Sequence, residues 1–140
     1  MLTRIDHVGI AVPDLDAALA HYTGTFGLTV AGTEVNEAQG VREAMLGLGE
    51  AGSAGSYVQL LEPLRPDTPV GRFLAKRGPG VHHVGYAVDD IAAELESLAA
   101  AGIELIDSRP RHGSLGASIA FLHPRGLFGV LTELVEAARD

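Results

Sequence analysis

Seventeen residues starting at Asp6, DHVGIAVPDLDAALAHY, recur at an offset of 76 from His82 as HHVGYAVDDIAAELESL. Eight of the seventeen positions are identical, and one of them is histidine: His7 in the first copy, His83 in the second. Two copies of one folding unit require repeated apolar positions, but they do not require repeated imidazoles. The histidine pair therefore points to a shared chemical use. Alternate residues of a strand share a face, so His7, Gly9 and Ala11 lie on one side and Val8, Ile10 and Val12 on the other. His83, Gly85 and Ala87 repeat the arrangement against Val84, Tyr86 and Val88. A histidine followed by two very small side chains leaves space beside the ring, which predicts the wall of a cavity.

Each copy reads as a strand followed by a helix. Asp14 and Asp90 are placed to cap the helix N-termini, with Leu15, Leu19 and Tyr22, and then Ile91, Leu95 and Leu98, at helical spacing. Glycine ends the first helix near Gly24 to Gly27 and the second at Gly102. Strands are predicted over Leu28–Val35, Val41–Leu48 and Ser56–Glu62, and then over Ile103–Asp107, Ser118–His123 and Val130–Val135. Gly47 to Ser56 reads as a hairpin loop and Glu62 to Gly80 as the connector between the halves. Such modules bury little alone and must share a sheet or close on each other. The expectation is an α+β fold in which two βαβββ modules form a concave, barrel-like sheet of eight strands. It is read as one domain over residues 1–140, with repeats at about 3–62 and 80–136.

With 140 residues and 46% apolar composition, the chain can bury roughly two-thirds of its unfolded surface. No apolar run approaches the roughly 20 residues of a membrane span, and MLTRIDHVGIAV enters a patterned strand directly, so a cytoplasmic protein without membrane attachment is expected. The chain has no cysteine, which leaves imidazole and oxygen as the ligands for any metal. A net charge of −8 argues against nucleic acid as a partner. Within this acidic chain, seven of the ten basic residues fall between Arg65 and Arg125, and Ser108 to Thr132 holds Arg109, Arg111 and Arg125 with no acid. Arg109 and Arg111, with Arg72, Lys76 and Arg77, are candidates to bind an anionic ligand. The competing reading is a solvated surface of uneven charge.

The repeat also relates Gln59, in SYVQLLE, to Glu133, in GVLTELVE; each is followed by two apolar residues and a glutamate. Both are polar groups among apolar strand neighbours, and burying them without a partner costs a few kcal/mol, roughly, and more for a carboxylate. Two imidazoles, an amide oxygen and a carboxylate form a ligand set for one divalent cation, with two octahedral positions left for water or substrate. His21, His82, His112 and His123 have no such repeat relation and are left out of the site. Glu43 shares a strand face with Val41 and Met45. From the residues alone it reads as a surface carboxylate paired with the adjacent Arg42.

The paired HVGIAV and HHVGYAV strands with Gln59 and Glu133 resemble the vicinal-oxygen-chelate superfamily over nearly the whole chain. Within it, QGVREAML, GVHHVGYAVDDI and FLHP…GVLTEL resemble the methylmalonyl-CoA epimerases. The resemblance implies that His7, Gln59, His83 and Glu133 bind a divalent metal ion, with cobalt or manganese expected foremost. It implies that Glu43 moves a proton, with Glu133 as the second acid or base, and that the protein is a homodimer acting on an acyl-CoA. The implied reaction interconverts (2R)- and (2S)-methylmalonyl-CoA through a metal-stabilised enolate. The alternatives within the superfamily are a glyoxalase I-type lyase, an extradiol dioxygenase and a metal-free drug-binding protein.

Overall fold

The computed structural model describes residues 1–49 and 55–139. The expected hairpin loop at Gly47 to Ser56 lies partly outside the described residues, and the Leu48 N–H donates to the Ser56 carbonyl at 3.3 Å. The chain divides into two compact units, His7–His82 on one hand and Met1–Asp6 with His83–Asp140 on the other.

The first unit carries β1 (Arg4–Ala11, which begins in the other unit), α1 (Leu15–Gly24), β2 (Thr29–Asn36), β3 (Val41–Gly47), β4 (Tyr57–Pro63) and α2 (Pro69–Arg77). Its strands run in the order β2–β3–β4–β1, antiparallel except for the parallel β1/β4 pair. The Asp14 side chain accepts from Ala17 N and caps α1 as the sequence predicts. One sheet face packs Val12, Ala44, Leu46 and Leu60 against Leu15, Leu19 and Tyr22 of α1. The other face packs Ala11, Val41 and Leu61 against Val70, Phe73 and Leu74 of α2. The connector thus contains a helix that the sequence reading did not anticipate. Thr68 caps it through Gly71 N, with a proline in its first turn. Gly40, in the turn before β3, has φ +71, and a Cβ there would stand 2.5 Å from Thr68 Cγ2. Only glycine satisfies both the conformation and the contact.

The second unit carries β5 (Gly80–Ala87, entering from the first unit), α3 (Ile91–Ala100), β6 (Arg111–His112), β7 (Ser118–Leu122) and β8 (Thr132–Glu136). Its order, β5–β8–β7–β6, repeats the first unit's topology, with β5/β8 parallel and the other pairs antiparallel. Asp90 caps α3 through Ala93 N. Val88, Ala120, Leu122 and Leu134 pack against Ile91 and Leu95 of α3, while Ile119, Phe121 and Val135 form the opposite face. One expectation is corrected here: Ile103–Asp107 is not a strand. It makes a single bridge, Leu105 to Leu122, because Ile106 N and Asp107 N both turn onto the one carbonyl of Phe121. The edge strand is instead the two residues Arg111–His112, beyond Pro110.

Candidate active site

In the first unit, β1 and β4 pair in parallel and put His7 and Gln59 on the sheet face away from α1. Both are buried, at 3% and 5% exposure. In β3, Glu43 is 2% exposed and faces the same way, because the ladder pairs Met45 with Gln59 and Glu43 with Leu61. The amide of Gln59 donates from Nε2 to Glu43 Oε2 at 2.8 Å. The surface reading of Glu43 fails on the neighbouring side chain. Arg42 points to the opposite face and pairs with Asp16 at 2.7 Å and Glu62 at 3.8 Å, which raises its pKa further above the arginine norm.

In the second unit, β5 and β8 place His83 and Glu133 on the face away from α3, also buried. His83 Nε2 and Glu133 Oε1 are 3.8 Å apart. That separation is too long for a hydrogen bond, yet it fits two ligand atoms each about 2 Å from one ion. Phe121 lies directly across the β7/β8 ladder from Glu133 and packs edge-on against the His83 ring, with centroids 5.5 Å apart. The sequence reading missed this aromatic wall. Its place opposite Glu133 depends on the β7/β8 register, which the connection from His123 to Leu131, with its 3-10 turn at Pro124–Gly126, hides from the sequence.

The basic candidates are spread over different local environments. Arg111 stacks on Phe121, its guanidinium carbon 5.6 Å from the ring centroid, and pairs with Asp107 at 3.3 Å. Arg109 is exposed, with no ion pair among the described residues. On α2, Arg72 donates to the Asp67 carbonyl, Arg77 lies over Phe73 at 5.7 Å, and Lys76 shares the last turn. Arg125 is occupied by Glu104 at 3.3 Å. The histidines left out of the site have other surroundings: His82 packs on Phe73, and burial lowers its pKa to about 4; His21 packs on Phe26, and the His123 ring accepts from Arg125 N.

Residues 6–121 match the Glyoxalase/Bleomycin resistance protein/Dioxygenase superfamily. The chain belongs to that superfamily. The chain's own fold is the one expected from the sequence, two βαβββ modules contributing eight strands. The ethylmalonyl-CoA/methylmalonyl-CoA epimerase of Cereibacter sphaeroides is 38% identical, over 96% of this chain and 98% of its own. A methylmalonyl-CoA epimerase solved in complex with methylmalonyl-CoA and NH4+ is 51% identical, with a TM-score of 0.93, covering 99% of this chain and 96% of that one. The Mycobacterium tuberculosis methylmalonyl-CoA epimerase is 39% identical, with a TM-score of 0.92, covering 99% and 90% respectively. No helix among the described residues is long and apolar enough to cross a membrane.

Proposed function

We propose that this chain is a divalent-metal-dependent epimerase that interconverts (2R)- and (2S)-methylmalonyl-CoA. The observation that carries the reading is Glu43, a buried carboxylate on the same face as His7 and Gln59 but outside the repeat-related ligand set. Relatives that match nearly end to end are methylmalonyl-CoA epimerases, one of them in complex with methylmalonyl-CoA, which supports the substrate class.

The chemistry of the donors fits a metal. His7 and Gln59 from one module, and His83 and Glu133 from the other, would hold the ion; these four residues are buried, and each repeat contributes one imidazole and one oxygen. Such a set accepts cobalt or manganese. Bound there, the ion supplies Lewis acidity to offset charge developing on the thioester oxygen. The remaining work belongs to side chains. Glu43 accepts the proton from the carbon between thioester and carboxylate, and Val41 and Met45 on its face keep water from competing. Return of a proton to the opposite face is assigned to Glu133. Arg109 and Arg111, with Arg72, Lys76 and Arg77, are assigned to the anionic coenzyme A moiety. A homodimer, which rests on the resemblance alone, and a cytoplasmic location, which rests on the sequence reading, complete the account.

A glyoxalase I-type lyase and a metal-free drug-binding protein are not favoured, since relatives covering nearly the whole chain include acyl-CoA epimerases. The test is to assay each epimer separately with protein stripped by a chelator and then reloaded with cobalt or manganese. Interconversion that disappears on stripping and returns on reloading is expected. Turnover of methylglyoxal with glutathione, and none of methylmalonyl-CoA under any metal, would overturn the proposal.

A further inference from the structure

The two oxygen donors related by the repeat are not the same residue: position 59 is an amide and position 133 a carboxylate. The ladders supply a reason. In β3/β4, Met45 stands opposite Gln59 and Glu43 stands opposite Leu61. In β7/β8, Phe121 stands opposite Glu133 and Ile119 opposite Val135. Glu43 of the first module thus corresponds to Ile119 of the second. Where the diagonal neighbour is apolar, the donor is a carboxylate; where it is a carboxylate, the donor is an amide.

An ionised carboxylate only accepts hydrogen bonds, so the nitrogen end of Gln59 must face Glu43, as the 2.8 Å Nε2 to Oε2 contact has it. That choice turns the oxygen end of the same amide elsewhere. We infer that Gln59 has a divided role, in which its oxygen serves the metal and its Nε2–H is a positioning group that fixes the direction of the Glu43 carboxylate toward the substrate carbon. A glutamate at position 59 would supply the oxygen but set two carboxylates against each other in a buried site. The last torsion of a glutamate is a broad one. A hydrogen bond donated by Gln59 restricts it, and small misplacements of a reacting group cost rate steeply.

This inference rests on the epimerase reading, and its test separates the two. Gln59→Glu should retain bound metal and a KM within about twofold of wild type, while kcat falls about ten- to a hundred-fold. A kcat within about twofold of wild type, or loss of the metal, would overturn the divided role. A second arm uses metal-free protein and needs no activity. Gln59→Glu and Glu43→Gln should each lower the thermal midpoint, and the double variant, which exchanges amide and carboxylate, should recover part of the loss. A double variant whose loss equals the two single losses combined would overturn the contact. Wild-type protein with no epimerase activity would instead count against the proposed function, and the midpoint comparison would still report on the pair.

Discussion

The carboxylate of Glu62 accepts a hydrogen bond from the backbone N–H of Leu15 at 2.7 Å, joining the end of β4 to the first turn of α1. Glu136 makes the equivalent bond to Ile91 N at 2.9 Å. Each glutamate lies three residues beyond a proposed oxygen ligand, Gln59 or Glu133, so the bond locks the ligand strand to the helix that follows the histidine strand. It also satisfies an otherwise orphaned N–H and places a negative charge at a helix N-terminus. Glu136→Ala is expected to lower unfolding stability by about 1 to 2 kcal/mol in urea denaturation. Glu136→Gln, which can still accept, should cost less.

Replacing His83 by alanine should remove bound metal and activity together while leaving the far-ultraviolet circular dichroism unchanged. The fold does not depend on this ring, since Ile119, Phe121 and Val135 form their own cluster on that face. His7→Ala should behave the same way, as its repeat counterpart. A folded His83→Ala protein with full metal content would remove His83 from the ligand set.

Glu43→Gln keeps the size of the side chain and cannot accept the proton. The rate of epimerisation should fall about a hundred- to ten-thousand-fold with bound metal retained. Metal analysis beside steady-state kinetics separates this result from the loss of a ligand.

Arg109 is exposed and has no ion pair among the described residues, whereas Arg111 is engaged by Asp107 and Phe121. Arg109→Gln should therefore raise KM for the acyl-CoA with little change in kcat. Because exposed charges are screened by salt, the increase should be larger at low than at high ionic strength. An unchanged KM at low salt would exclude Arg109 from substrate binding.

Much of the site face was legible in the sequence because strand alternation carries its own geometry. His7 and His83, Gln59 and Glu133, and the Asp14 and Asp90 caps all follow from a repeat read at period two and then at helical spacing. What failed was local. Ile103–Asp107 has the apolar alternation of a strand, but its N–H groups converge on one Phe121 carbonyl, whereas Arg111–His112 pairs with no apolar signal at all. Helix α2 was hidden in a proline-rich connector, although Thr68 before the helix, Pro69 in its first turn and Gly78 after it mark its ends. The contact between Gln59 and Glu43 required the β3/β4 register, which a sequence without its loop conformations does not fix.

Proton exchange at carbon 2 of methylmalonyl-CoA is the most direct measure of the central claim. In heavy water with metal-loaded protein, either pure epimer should acquire deuterium at that carbon as it converts to the other, and Glu43→Gln should suppress interconversion of both and exchange of the epimer whose proton faces Glu43. Epimer interconversion without deuterium uptake in either epimer, or full exchange of both epimers by Glu43→Gln, would contradict a reaction in which this buried carboxylate takes the proton.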